Sequence, residues 1–460
     1  MIERLEEGLL AEVLRRVPGT QRQARLSARA FDDAWRAHHA TDLTLRTHTV
    51  GGASGYPNWA RFPGLRRVVL SGGHPHLSGD VERLLPNLKS LTARRGHECS
   101  TSYESCIDPD MAGAVVNHCP RLESLDAGTF KLDWGSAALL AQLPRLRELR
   151  CGWPCYGETD DASLLTALQP GHLEALSLPG LARLGPLSLS RLHELRGIEC
   201  LRPEGAAALA RGAPLLRLLV AGIGGPWGAW GPAHVLPRVT RAHLDYDRSF
   251  RDAEISLILP AVQALSLQPC RYGEPPPGVA GLTALETLVF DRGNCFQERV
   301  PVTWWLGASS LPRLRRLLFG VSEGNEVWWV LGLPALEVLH VNSDKELDVA
   351  HILAAAACCL RVHTVCSQGP GMDAPPLGSL AAFAAAPGRV SRAEVWGGHK
   401  HGLPLADARR LAALPFMRRL GAGAWDDFDL DAASRDHEAG AGAACICALD
   451  EHVIDLRWID

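Results

Sequence analysis

Several short stretches of the 460-residue chain carry residue types at spacings that could do chemistry. In NHCPRLESLDAG, residues 117–128, His118 and Cys119 are metal-ligand types, while Glu123 and Asp126 are acid–base types. Cys151-Gly-Trp-Pro-Cys155 pairs two thiols, as a redox site would, but at CxxxC rather than CxxC spacing. Asp427, Asp429, Asp431 and Glu438 match positions 1, 3, 5 and 12 of a calcium loop, yet position six, which needs glycine for its sharp turn, is Ala432. GGHPH (72–76) and GGHKH (397–401) each offer two histidines to a metal. Cys358-Cys359 and Cys445-x-Cys447 lack a second ligand pair at zinc spacing. There is no GxSxG, no P-loop and no GxGxxG opening a helix, and no nucleophile, base and orienting group come together along the sequence. The expectation is a chain without catalytic residues, bound metal or cofactor, whose acidic 427–438 segment is solvated and whose histidines lie in exposed loops.

What would position such residues follows from size and pattern. The chain is too long for one ordinary core, so several domains or a repeat array are expected. A hydrophobic content of 47%, a charged content of 21% and a net charge of −4 with no long run of one sign point to a folded protein that binds neither nucleic acid nor membrane. MIERLEEGLL has no apolar secretory core, and no apolar run is long enough to span a bilayer. Thirteen cysteines, an odd number at irregular spacing, fit free thiols in a reducing compartment, hence a cytoplasmic or nuclear protein. Lysine occurs only at 89, 131, 345 and 400; the excess of arginine, with abundant Ala, Gly and Pro, fits a GC-rich coding bias.

The dominant signal is a repeat. FPGLRRVVLSGG (62–73), LPNLKSLTARRG (85–96), LPRLRELRCGWP (143–154), LPAVQALSLQPC (259–270), LTALETLVFDRG (282–293), LPRLRRLLFGVS (311–322) and LPALEVLHVNSD (333–344) share apolar-Pro-x-Leu-x-x-Leu-x-apolar with the stretch at 117–128. Weaker copies place their first apolar residue at Leu173, Leu195, Leu216, Val239, Leu360, Val390 and Met417, giving fifteen units at about 25 residues per step. In LxxLxL the second and third apolar residues lie two apart, on one face of a short strand, and the first sits in the turn that enters it. Segments such as 78–85, 109–119 and 134–143 have three- and four-residue apolar spacing and predict short helices. The proline before each strand, as at Pro120, Pro144, Pro312 and Pro334, stops a helix from continuing and sets the chain extended. Cys151 is then a core residue of its unit, and Trp304, Trp305, Trp328 and Trp329 fall on the helix side as packing residues.

On these phrases the chain resembles the leucine-rich-repeat family, and CPRLESLDAG its cysteine-containing subtype. The resemblance implies an α/β solenoid over 41–425, a curved arc with parallel strands concave and short helices convex. The ninth position, where the family usually places Asn or Cys, matches only at Cys270 among Gly73, Gly96, Phe130, Pro154, Asp247, Cys270 and Gly293. Residues 426–460 form an acidic loop and C-terminal cap.

Residues 1–40 depart from the repeat. Ile2, Leu5, Leu9, Val13, Leu14 and Val17 share a helical stripe ended by Pro18-Gly19, and a second helix buries Leu26, Phe31 and Trp35. Two readings stand: a cap that shields the first repeat, or an F-box. LEEGLLAEVLRRVP and ARLSARAFDDAW resemble the F-box helices, and ATDLTL (40–45) the strand that follows an F-box in F-box proteins with leucine-rich repeats. That resemblance implies a Skp-type adaptor and a cullin ubiquitin ligase as partners, with Leu5, Leu9, Leu10, Val13 and Leu14 on the adaptor. A protein target would lie on the concave face, where the fifth and seventh positions of LxxLxLx present Asp126, Arg150, His243 and His340 and then Arg94, Asp245, Gln268, Asp291 and Asn342, with Tyr246 and Trp396 alongside.

Overall fold

The computed structural model describes residues 42–47, 64–72, 87–95, 106–107, 109–127, 131–132, 134–151, 168, 172–181, 184, 188–223, 231–246, 255–269, 278–290, 310–321, 329–343, 346–347, 355–356, 359, 361–362, 364–372, 390, 392–401, 417–422 and 445–448. The chain divides into two compact units, the first formed by 1–180 with 185–192 and the second by 181–184 with 193–460.

In the first unit the strands are β1 (Asp42–Thr47), β2 (Arg67–Gly72), β3 (Ser90–Arg95), β4 (Cys106–Ile107), β5 (Ser124–Asp126), β6 (Lys131–Leu132), β7 (Glu148–Arg150) and β8 (Ala175–Leu181). β1, β2, β3, β5, β7 and β8 pair in that order, every pair parallel. β4 and β6 form a separate parallel pair on the return path. They lead into α1 (Pro109–His118) and α2 (Trp134–Leu140), the two helices expected from residues 109–119 and 134–143. Ser136, fully buried in α2, donates its hydroxyl to the Ile107 carbonyl at 2.6 Å and ties the second return path to the first.

The second unit holds β9 (Glu194–Leu201), β10 (Leu218–Ile223), β11 (Arg241–Tyr246), β12 (Ala264–Pro269), β13 (Thr287–Phe290), β14 (Arg316–Val321), β15 (Val338–Ser343), β16 (Glu346–Leu347), β17 (Thr364–Met372), β18 (Arg392–His401), β19 (Met417–Ala422) and β20 (Cys445–Ala448). All pairings are again parallel and run from β9 to β20 in chain order, except that β15 pairs with β17 and β16 adds a short pairing to the far end of β17. Parallel pairing thus continues beyond residue 425 into β20. The described return paths shorten here: α3 (Pro203–Gly212) is followed by the four-residue α4 (Ile255–Ile258) and by 3-10 turns at Pro232–His234 and Val279–Gly281. No described helix is long and apolar enough to cross a membrane. One parallel strand and one return path per repeat make each unit an α/β leucine-rich-repeat solenoid.

The core is the LxxLxL pattern stacked on itself. In register, Leu125 faces Leu149 and Leu149 faces Leu176, all with at most 2% exposure. Leu265, Leu288, Leu317 and Leu339 repeat the arrangement in the second unit. The sixth position varies in size, from Ala127 and Ala221 to Phe290 and Phe319, and the Trp329 ring meets Phe319 edge-on with centroids 5.2 Å apart. Trp329 is therefore a packing residue; Trp304, Trp305 and Trp328 lie outside the described residues.

At seven described strand entries a turn closes from the first apolar residue of the unit back to the one three before it, as Leu122 N–H to Cys119 carbonyl and Leu146 N–H to Leu143 carbonyl. Pro120 and Pro144 occupy the second position of these turns, where their fixed φ is preferred, so the prolines shape a turn rather than an extended residue. The next carbonyl accepts two N–H groups from the following repeat: Glu123 accepts from Arg147 and Glu148, and Arg315 from Glu337 and Val338. This backbone ladder satisfies groups that a strand entry would otherwise leave without partners.

Three repeats are out of the expected phase. Pairing of Leu219 with Leu195 makes Leu192, not Leu195, the first leucine of its unit. Arg196 then takes the fifth position, Gly197 bulges out with φ 91°, and Ile198 resumes the core pattern opposite Ala221. One inserted residue moved the apolar spacing and disguised the register. Likewise Leu339 pairs with Val365, so buried Val362 rather than Leu360 opens that unit and Cys359 fills the apolar slot before it. A register shift after Ala393 aligns Leu420 with Val395, which sets the Met417 copy out of phase as well.

Candidate functional site

Parallel register lines up the fifth position of every repeat about 4.8 Å from the next. In the first unit the row is Thr44, Val69, Thr92, Asp126, Arg150 and Ser177, so Asp126 and Arg150 are brought together as direct neighbours. In the second unit it is Arg196, Val220, His243, Ser266, Val289, Leu318 and His340, and the same register continues through Cys366, Glu394, Arg419 and Cys445. His243 and His340 share this row with three strands between them, while Asp245 and Gln268 are neighbours in the seventh-position row.

The second-unit row is not uniformly polar. Ser266, Val289 and Leu318 are 2%, 5% and 6% exposed, although they occupy nominally open positions. Val289 and Leu318 make an apolar floor that, with Ser266 beside it, lies between two half-buried histidines. Pattern reading passed over them because they belong to the outward set of their strands; their signal was simply that Val289 and Leu318 are apolar where solvent was expected. Arg196 was missed through the Gly197 bulge and pairs with Glu194 at 2.7 Å.

His243 Nδ1 lies 2.8 Å from Ser266 Oγ, and its Nε2 lies 3.3 Å from Asp245 Oδ1. A histidine hydrogen-bonded to a serine and close to an aspartate invites comparison with an acyl-transfer relay, although Asp245 Oδ1 makes no hydrogen bond. The wiring is the reverse of that relay, with Nδ1 on the serine and Nε2 on the carboxylate. Ser266 is also too buried for a carbonyl to reach its oxygen. The arrangement instead fixes the imidazole at the end of the apolar floor.

The 117–128 stretch divides among three faces. Cys119 is buried, its thiol pushed up to about 12 by burial, so the thiolate a metal would need is suppressed. Glu123 lies on the strand-entry edge with its carboxylate 2.7 Å from Lys89 Nζ, and that hydrogen bond holds its carboxyl below the usual range. Asp126 faces outward on its strand. Cys151 is a core residue as expected, its thiol raised by burial and further by the Asp126 carboxylate.

GGHKH is not a loop: Gly397 to His401 belong to β18, with His401 paired to Gly371. Arg94, Tyr246, Asn342 and Trp396 lie on described strands, but their side chains are outside the described set. Asp291, Cys155, the 427–438 segment, His74, His76 and the first forty residues with Leu5, Leu9, Leu10, Val13 and Leu14 fall outside the described residues. Among the described residues no group of three or more His, Cys, Asp or Glu could hold a metal ion.

No family model matches the chain, and no curated protein sequence matches it. Among solved structures, a leucine-rich-repeat protein of Leptospira interrogans is 12% identical with a TM-score of 0.44, over 91% of this chain and 98% of that one. An internalin of Listeria monocytogenes is 15% identical with a TM-score of 0.38, over 80% and 88% of the two chains. A plant peptide hormone receptor, solved in complex with RGF2, is 13% identical with a TM-score of 0.31, over 84% and 54%. At these scores the likeness decides neither family nor partner.

Proposed function

We propose that the chain is a non-catalytic protein-binding module that holds a protein partner on the strand face of its second unit. The observation that carries this is the fifth-position row itself: an apolar floor of Val289 and Leu318, bounded by His243 and His340 and flanked by Asp245 and Gln268. An interface core is depleted in charge and ringed by polar groups, and this row has that composition. A photo-crosslinking residue at Gln268 should capture a discrete partner in cells, while the same residue at Arg211 on α3 should not. Equal capture at both positions would defeat the assignment.

A finer reading makes the module the substrate-recognition subunit of a cullin-type ubiquitin ligase. It is supported by the F-box-like sequence of residues 1–40 and by its place directly before β1. Co-purification of the full chain, and of a chain lacking residues 1–40, with a Skp-type subunit tests it; if the full chain retains none, the scaffold reading stands.

A further inference from the structure

The turns and strand entries of the second unit form an exposed edge with its own charge. From Ala213 to Thr364, the described residues of this edge include seven arginines, Arg217, Arg238, Arg241, Arg313, Arg315, Arg316 and Arg361, against two glutamates, Glu286 and Glu337. All seven arginines are exposed. The chain as a whole leans the other way, with 47 basic and 51 acidic residues. Composition therefore gives no reason for this edge to be basic; the stacking of the repeats collects the charge there. Glu337 is taken by Arg315 at 2.9 Å, with Glu286 also drawing on that guanidinium. Arg217, Arg238, Arg241, Arg313, Arg316 and Arg361 have no ion-pair partner among the described residues.

We propose that this edge binds an acidic segment of a protein partner. The proposal rests on the strand-face reading above and adds the chemistry of the partner. Guanidinium groups donate to carboxylates in bidentate geometry, and complementary charge at the rim of an interface speeds association and selects the partner. The order along the edge favours a polypeptide over nucleic acid. The Arg217 and Arg238–Arg241 repeats are followed by Gln263, then Glu286, then the Arg313–Arg316 repeat, then Glu337. A backbone with a phosphate at every step would set charge against both glutamates. A peptide can place its acids opposite the two arginine groups and leave the positions between them neutral.

The test measures fluorescence anisotropy of a labelled peptide, two glutamate blocks joined by a neutral Gly-Ser spacer, with the purified full chain, at low and at physiological salt. Saturable binding that weakens with salt is expected. The pairs Arg238→Glu with Arg241→Glu, and Arg313→Glu with Arg316→Glu, should each weaken it about tenfold or more. The exposed pair Arg202→Glu, just before α3, with Arg211→Glu, near its end, should leave it unchanged, and unaltered circular dichroism excludes misfolding. Tighter binding of single-stranded oligothymidylate than of the peptide overturns the choice of partner. Absence of peptide binding, or equal loss in the α3 pair, overturns the edge as a site while leaving the crosslinking result at Gln268 to judge the strand face.

Discussion

Gly222 gives the sharpest test of how the repeats are joined. It lies in β10 where the pairing with β9 slips a second time, between Ala221, which faces Ile198, and Ile223, which faces Leu201. A Cβ built on Gly222 would overlap the Glu199 carbonyl oxygen and come within 2.9 Å of its carbon, both backbone atoms of the neighbouring strand. No rotamer relieves such a contact; the strands must separate or the bulge must unwind. Overpacking of this kind typically costs about 1–3 kcal/mol, and the rigid backbone obstacle places Gly222→Ala toward the upper end. Gly113, inside α1, is the control, because a Cβ there meets nothing within 4 Å. Gly113→Ala should stabilise by about 0.5–1 kcal/mol, since alanine loses less backbone freedom on entering a helix. The same chemical change therefore has opposite signs at the two sites. A repeat array need not unfold as one unit, so the measurement is hydrogen exchange of the β9 and β10 amides beside those of α1 and β5, read in each variant. Unchanged protection of β9 and β10 in Gly222→Ala, or a loss in Gly113→Ala as large as that in Gly222→Ala, would refute the bulge geometry.

Three further outcomes follow from the core and the strand-entry edge. Cys119 should resist alkylation in the native protein: raising its pKa from 9.0 to about 12 lowers the thiolate fraction about thousandfold, and burial blocks access further. Mass spectrometry of iodoacetamide-treated native and urea-unfolded protein checks this, and native labelling within about tenfold of the unfolded rate would contradict it. Leu288→Ala, at a position with no exposure, should cost about 2–5 kcal/mol in urea unfolding monitored in the second unit. The Lys89–Glu123 pair should be worth under about 1 kcal/mol at neutral pH and less in high salt. Because Glu123's carboxyl is held down in the folded state, that contribution is present above its ordinary pKa of 4.5 and fades as pH falls through the lower folded value, so Lys89→Met should flatten the acid limb of the stability profile slightly.

The repeat, its strand and return-path alternation and the fate of Cys119 and Cys151 were all legible in the amino-acid order. Each depends on a period of two within a strand or of about 25 along the chain, and periodicity is a local property that side-chain types record directly. Register between strands is not local. One residue bulged at Gly197 shifted the apparent first leucine from Leu192 to Leu195, and only the pairing of Leu219 with Leu195 and of Ala221 with Ile198 exposes the slip. Burial of Ser266, Val289 and Leu318, the meeting of His243 with Ser266, and the collection of arginines on the strand-entry edge likewise arise between repeats, from residues some twenty positions apart set about 4.8 Å from one another. The amino-acid order determined what each repeat is made of; stacking decided which residues of different repeats share a face, because neighbours across a parallel sheet are chosen by the length and geometry of the return path rather than by the residues that come to touch.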